Sequence, residues 1–309
     1  MLGIQAIGGY IPPDRNQNSD LFEKFGFTSE FLETKIGVFQ TSVKGADEET
    51  SDLALKAVQS LRSKLSADFD LASVQCLVLV TQNPDGHGLP HTSSILHKKL
   101  NLSPHCFAFD ISLGCSGFVA GLAAIKGFMQ VAGLKTGLLV TADPYSKIVN
   151  REDRNTVLLF GDGASATLIS ENPIWEIGEF DLGTLGQSSD ALRVGDDGKL
   201  DMNGRAVFDF SALQVPPSVA RVLEANNLTI DDIDLGVLHP GSKYIVDTVA
   251  KRAKIKNVAR GAETYGNTVS SSIPLLLEFV SPLDYQNVLV SGFGVGLGWA
   301  TTILKGLRA

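Results

Sequence analysis

The chain has 309 residues, 44% of them hydrophobic and 19% charged, and a formal net charge of -8. That length and composition support a large buried core and exclude a disordered polymer. The acidic balance argues against a general nucleic-acid binder, whose footprint is basic.

Three cysteines without a C-x-x-C pair suggest neither a disulfide framework nor a metal site, and a reducing, cytoplasmic setting is expected. The opening MLGIQAIGGYIPP lacks the charged and long apolar regions of a secretory leader. No uninterrupted apolar run reaches the roughly 18 residues that a membrane span requires.

In chain order, the apolar periodicity predicts a helix over 48–65, a strand over 74–81, a helix over 93–102 and a strand over 106–112. A helix over 115–133 and a strand over 136–143 follow. LLFGDGASATL (158–168) is a tight turn between two apolar runs, with Asp162 in a structural role, and it leads into a strand over 166–170. The polar, glycine-rich stretch 183–203 is taken as a surface excursion. Further on come helices over 215–227, 242–254 and 270–283, and strands over 235–240 and 287–294. The strands are apolar throughout, as strands covered on both faces are, and their alternation with helices predicts a layered α/β fold. The helix over 115–133 is apolar all round except for Lys126 and Gln130, which predicts that it is buried.

Chemistry-bearing residues fall where this pattern turns from strand or loop to helix. Cys115, in DISLGCSGF, opens the buried helix. There the orphan N–H groups and the positive end of the dipole favour a thiolate and offer donors to an oxyanion. The competing reading is a small buried core residue, a common fate of free cysteine. Cys76 and Cys106 lie inside strands and are assigned to the core. His239 alone among the five histidines stands at the end of an apolar strand, and a satisfied core histidine is the alternative there. Asn267, in YGNTVS, precedes a helix, where a simple capping role competes with catalysis. SGFGVGLGWA (291–300) has no G-K-[ST] and opens no dinucleotide site. Its glycines are expected to bring backbone N–H groups close to a substrate, with Cys115 and Gly296 as the amides facing an oxyanion.

Together DISLGCSGF, FGDGASA, HPGSKYI, YGNTVSSSIP and SGFGVGLGWA resemble, in order and rough spacing, the β-ketoacyl-acyl carrier protein synthase III family. GGYIPP, EFLETKIGV and MNGRAVFDF match in place, so the resemblance covers essentially the whole chain. It implies a thiolase-like five-layer αβαβα fold of two similar halves, 1–170 with the nucleophile and 171–309 with the histidine and asparagine, usually as a homodimer. It also implies that Cys115 accepts an acyl group from acyl-CoA. His239 and Asn267 then hold the carbonyl of a malonyl thioester, borne on an acyl carrier protein or on coenzyme A, that loses carbon dioxide and attacks the acyl-cysteine. No cofactor, metal, nucleic acid or membrane is called for.

Phe31, Lys35, Arg154 and Arg205 stand at the positions for coenzyme A contacts, and Lys243, Lys251 and Arg252 on a basic helix for carrier-protein docking. The chain departs from the family pattern at Lys35, Phe39, Gln40, Ser242, Tyr244 and Arg205. Tyr244 replaces the docking arginine, and Ser242 replaces an asparagine. Three other functions are open to the same residues. One is acyl transfer from Cys115 to an alcohol or amine without decarboxylation, one a papain-like cysteine hydrolase, and one a non-catalytic binding protein on the same fold.

Overall fold

A computed structural model describes residues 1–307. Its main elements run β1 (Gly3–Tyr10), α1 (Thr50–Lys64), β2 (Cys76–Val80), α2 (Thr92–Lys99), β3 (Phe107–Ile111), α3 (Gly117–Ala132), β4 (Thr136–Ala142) and β5 (Ala164–Ser170). They continue β6 (Trp175–Thr184), α4 (Gly204–Ala225), β7 (Leu235–Leu238), α5 (Lys243–Ala253), α6 (Ser272–Leu277), β8 (Asn287–Gly294) and β9 (Gly298–Gly306).

The nine strands connect in the order β7-β8-β9-β6-β1-β5-β4-β2-β3. The join between β6 and β1 is only two residue pairs long, Gly3 with Glu176 and Ile4 with Trp175. In effect there are two sheets. One is β3-β2-β4-β5-β1, parallel through β3, β2 and β4 and antiparallel beyond. The other is β7-β8-β9-β6, parallel at β7/β8 and antiparallel beyond. A lone parallel bridge from Gly236 to Val258 marks the place where the first sheet has β3. The sequence of elements β-α-β-α-(β)-α-β-β therefore occurs twice.

Side-chain alternation builds the layers. On β2, Cys76, Val78 and Val80 point into the cluster that holds Phe118, Leu122, Ile125 and Met129 of α3 together with Ile273 and Leu276 of α6. Leu77 and Leu79 point the other way, against Leu53, Val58 and Leu61 of α1 and Leu96 of α2. From the second sheet Val237, Val288 and Val290 join the central cluster. Leu238, Leu289 and Ile303 pack outward against Val219 and Val222 of α4 and Val246 and Val249 of α5. The result is five layers, α1α2, sheet, α3α6, sheet, α4α5, with α3 as the central hydrophobic element. Its five fully buried side chains, Phe118, Val119, Leu122, Ile125 and Met129, contribute roughly 1.5–3 kcal/mol each by burial.

Several expectations need correction. The end of α3 beyond Met129 is not buried: Gln130, Val131 and Ala132 are exposed, Val131 by 92%, although apolar residues surround the helix. Helix α4 begins at Gly204 rather than at 215. Asn203 caps it by accepting the Ala206 N–H at 3.0 Å, and the chain stays helical through Pro216 and Pro217. Stretch 183–203 is not merely a surface excursion. It folds as a hairpin, Leu192–Val194 with Leu200–Met202, and buries Leu192 and Leu200. Among the described residues no helix is long and apolar enough to cross a membrane.

Candidate active site

Three chain junctions meet in one cavity of about 530 Å³. Cys115 lies two residues before α3 and is 4% exposed. His239 directly follows β7, its N–H donating to Ser291 O at 2.9 Å so that the ladder with β8 continues past the strand. The Asn267 backbone is pinned to the segment ahead of the GDG turn. Its N–H donates to Leu159 O at 2.8 Å, and its carbonyl accepts the Gly161 N–H at 3.0 Å. All three side chains line the cavity with Phe160, Phe293 and Gly294.

The Asn267 amide has a fixed orientation. Its Oδ1 accepts the Val269 N–H at 2.9 Å and the Ser272 hydroxyl at 3.2 Å, which turns Nδ2 toward the cavity. There Nδ2 lies 3.2 Å from His239 Nε2. His239 Nδ1 is buried without a partner, and the ring meets Phe293 edge-on at 5.9 Å. An orphaned buried N–H is costlier than an unused lone pair, so the proton belongs on Nε2. Burial pushes the imidazole down to about 3, so it is neutral at physiological pH. Nε2–H and Nδ2–H are then two neutral donors on one small volume, a setting for an oxygen acceptor that develops charge.

Cys115 differs from the sequence expectation in one respect. Placement at a helix start favours a depressed thiol, but burial dominates and pushes it up to about 12, with the buried Asp143 adding to the rise. Hydrogen bonds from the amides of Val295 and of Cys115 itself act in the opposite direction. The resting group is a thiol. The amide at the sulfur is that of Val295, one residue before Gly296, the expected donor; neither residue lines the cavity itself. The close approach is made by Gly294, where a Cβ would lie 2.6 Å from Sγ. That glycine run was the signal for an approaching backbone, and the expectation of Gly296 fell one residue beyond the amide that arrives. Cys76 and Cys106, buried in strand or at its edge, are raised to about 12 and about 11 and have no part in the cavity. Asp162 is fully buried and accepts from the amides of Lys44 and Ser146 and from the Ser146 hydroxyl, a structural assignment that agrees with its turn.

At the exposed rim of the same cavity stand Phe31, Lys35, Arg154 and Arg205. The Arg154 guanidinium lies 5.4 Å from the Phe31 ring centre. Lys35 Nζ sits 4.2 Å over Tyr244, whose ring stacks on Phe208 at 5.2 Å. Arg205 is paired with Asp209 at 2.8 Å. Tyr244, singled out only as a departure from the docking arginine, lines the cavity, as do Phe208, Leu192 and Met202, apolar side chains that carry no chemical signature of their own. Of the three basic residues on α5, Lys243 is paired with Asp247 at 2.9 Å and Arg252 donates to Ala212 O at 3.0 Å, while Lys251 is exposed.

Comparison with known proteins gives a consistent set of likenesses. Residues 109–186 match the model of 3-oxoacyl-[acyl-carrier-protein (ACP)] synthase III, and residues 223–306 match that of its C-terminal part. The β-ketoacyl-[acyl-carrier-protein] synthase III of Geobacillus kaustophilus is 32% identical over 310 residues, covering 98% of each chain. That of Oceanobacillus iheyensis is 31% identical over 316 residues, again covering 98% of each. The crystal structure of the synthase III from Thermus thermophilus superposes with a TM-score of 0.90 at 31% identity, covering 99% of this chain and 100% of that one. The priming β-ketosynthase of the R1128 polyketide pathway superposes with a TM-score of 0.89 at 26% identity, covering 99% and 96%.

Proposed function

The chain belongs to the 3-oxoacyl-[acyl-carrier-protein] synthase III family, and we propose that Cys115, His239 and Asn267 carry out its reaction. The enzyme is a condensing synthase: it joins an acyl group from acyl-CoA to a malonyl thioester with loss of carbon dioxide. A papain-like hydrolase is ruled out by the fold and the family. The observation that carries the residue assignment is the convergence of the three side chains, with two neutral donors 3.2 Å apart beside a buried thiol.

In the first half-reaction the Cys115 sulfur attacks the acyl-CoA carbonyl. Because the resting group is a thiol, its proton must leave as the C–S bond forms, and it passes to the departing coenzyme A sulfur, since His239 already carries a proton on the nitrogen that faces the cavity. The Cys115 and Val295 amides receive the tetrahedral oxyanion. Collapse expels coenzyme A as the thiol, carrying the proton that Cys115 lost.

In the second half-reaction the malonyl thioester carbonyl sits between His239 Nε2–H and Asn267 Nδ2–H. The C–CO₂ bond breaks, its electron pair becomes the enolate, and the two donors hold the enolate oxygen. No base is needed, since the leaving carbon dioxide supplies the carbanion. The carbon attacks the acyl-cysteine, and Cys115 leaves and is reprotonated. The sum is acyl-CoA, malonyl thioester and a proton giving β-ketoacyl thioester, carbon dioxide and free coenzyme A.

Phe31, Lys35, Arg154 and Arg205 are proposed contacts for the nucleotide end of coenzyme A, as a cation over an aromatic ring at the rim suits an adenine and its phosphates. Lys251 is the best placed of the α5 cations to meet an acidic carrier protein, since Lys243 and Arg252 already have partners. A homodimer is supported by the apolar surface that the single chain leaves open along β3 and the end of α3. There Phe107 is 57% exposed and stacks at 5.6 Å on Phe128, near the exposed Val131.

Intact-protein mass spectrometry tests the assignment. The protein is incubated with acyl-CoAs from acetyl to dodecanoyl, then chased with malonyl-CoA or malonyl-carrier protein. A gain of one acyl mass mapped to Cys115, discharged with release of carbon dioxide and a β-keto product, is expected. A stable acyl-enzyme that malonyl cannot discharge would point instead to transfer onto an alcohol or amine. Absence of any acyl-enzyme would leave only a binding protein.

A further inference from the structure

One buried ionisable group near the cavity has no part in the reaction as written. Asp143 follows β4 and is fully buried, and among the described residues no lysine, arginine or histidine forms an ion pair with it. Its carboxyl is held by donors from both halves of the molecule. From the end of β2, the Gln82 N–H donates to Oδ1 at 2.6 Å and the Thr81 hydroxyl at 3.3 Å. From the segment that carries Asn267, the Ser270 hydroxyl donates to Oδ2 at 2.5 Å. Next to it, Ser271 Oγ meets Thr141 Oγ1 at 2.8 Å and donates to Gly163 O at 3.2 Å.

Those ties act on a strained piece of chain. Val269 is fully buried with φ +55°, a left-handed conformation that a β-branched residue adopts only when its surroundings impose it. In that conformation its N–H reaches Asn267 Oδ1, the contact that turns Nδ2 toward His239. The Val269 side chain lies against Gly114, the residue before the nucleophile, so the segment is wedged between the two catalytic junctions. A strained turn returns to a relaxed backbone if its anchors are removed, and the Asn267 amide then loses the shorter of the two hydrogen bonds that orient it, keeping only the Ser272 hydroxyl at 3.2 Å.

We infer that Asp143 is a positioning residue for the malonyl half-reaction: through Ser270 it anchors the strained turn at Val269 and so keeps the Asn267 amide nitrogen facing His239. The inference rests on the condensing reading above. It predicts an asymmetry, because acylation of Cys115 uses the Cys115 and Val295 amides and needs no contribution from Asn267.

The test is Ser270→Ala, which removes the tie with a loss of one oxygen, assayed separately for each half-reaction. Acylation is followed by intact mass in a single turnover with the acyl-CoA that the unaltered protein takes best. Decarboxylation is followed by carbon dioxide release when the acyl-enzyme is chased with malonyl-CoA. Expected is acylation within about threefold of the unaltered protein and decarboxylation slowed by about 10- to 100-fold, the penalty of a misplaced reacting group. Asp143→Asn is the conservative counterpart. Its amide N–H can donate to Ser270 Oγ with the bond reversed, so it retains more decarboxylation than Ser270→Ala while acylating normally. If Ser270→Ala does not fold, selective loss of decarboxylation in Asp143→Asn carries the inference alone. Equal losses in both half-reactions, no loss in either, or failure of both variants to fold would overturn it and assign the network to stability. An unaltered protein that decarboxylates normally beside such a result leaves the condensing reading standing; one that neither acylates nor decarboxylates sinks both.

Discussion

At the scale of single residues, burial decides the protonation of the site more than helix placement does. Cys115 stands where a helix dipole lowers a thiol, yet its desolvation raises it to about 12. Alkylation by iodoacetamide at pH 8 is therefore expected to be slower at Cys115 than at a free thiol and to keep rising with pH past 9. Cys115→Ala supplies the background from Cys76 and Cys106. A rate that levels off below pH 7 would mean a thiolate stabilised at rest and would overturn the assignment of a resting thiol.

His239 and Asp143 make opposite demands on the fold. The imidazole falls from 6.5 to about 3, so its share of stability is present above 6.5 and is lost as pH falls through 3. The carboxyl rises from 3.8 to about 7, so its share is present below 3.8 and is lost as pH rises through 7. Each slope is about 1.4 kcal/mol per pH unit with opposite sign, so the two cancel between about pH 4 and 6.5. Asp143→Asn removes one member. Its stability relative to the unaltered protein should climb by about 1.4 kcal/mol per unit over that window, as urea unfolding at stepped pH would measure. A parallel pair of pH curves would show that Asp143 titrates as an ordinary carboxyl.

At the scale of elements, the site is a product of where β7, α3 and the turn before α6 begin and end. Asn267→Ala should acylate at close to the normal rate and decarboxylate malonyl thioester about 100- to 1000-fold more slowly, the usual effect of losing one oxyanion donor. His239→Ala should lose decarboxylation as well and still acylate, because its Nε2–H serves the malonyl carbonyl alone. Rapid-quench measurement of acyl-enzyme, with carbon dioxide release measured in parallel, separates the two half-reactions. Acylation that slows in His239→Ala but not in Asn267→Ala would make the imidazole an acceptor of the thiol proton and overturn the Nε2–H assignment.

These junctions were legible because strands β2, β3, β4, β7 and β8 are short apolar runs, and the residue types at their ends stand out against them. Strands β1, β6 and β9 were not, for different reasons. GIQAIGGY has three glycines in eight residues, WEIGEFDLGT interleaves acidic residues with apolar ones, and GWATTILKG begins inside the glycine-rich run 291–300, which was read for its backbone donors. Pro216 and Pro217 hid the first three turns of α4, since a proline pair signals a helix start more often than a helix interior. The proposed catalytic triplet was visible in one dimension. The Val295 amide, the Tyr244–Phe208 stack and the strain at Val269 exist only once distant segments meet.

At the scale of the whole molecule, the element order repeats on either side of the break between β5 and β6, and we propose the division at 170/171 on that ground. Arg308 and Ala309, at the end of the second half, lie outside the described residues. The two copies are not equivalent at their outer edges. In the second half the place of β3 is reduced to the bridge at Val258, whereas in the first half β3 is a full strand that pairs with β2 alone. An open strand edge beside exposed apolar side chains is a liability that soluble proteins cover. Phe107, Phe109 and Phe128 form an aromatic cluster there, and Val131 continues it at the end of α3. A second copy related by a two-fold axis would cover the surface with itself and join the edges. Strand β3 ends at Ile111, four residues before the proposed nucleophile Cys115, so whatever fixes that edge also fixes the approach to the site. Phe107→Asp places carboxylates in the covered surface, and the protein should then sediment as a monomer at micromolar concentration. Its acylation rate should fall further than its thermal stability, because β3 would lose the partner's strand at its open edge while α3 and the central core stay packed. A monomer of undiminished acylation rate would show that the edge serves solubility alone, and an unchanged dimer would place the interface on another face.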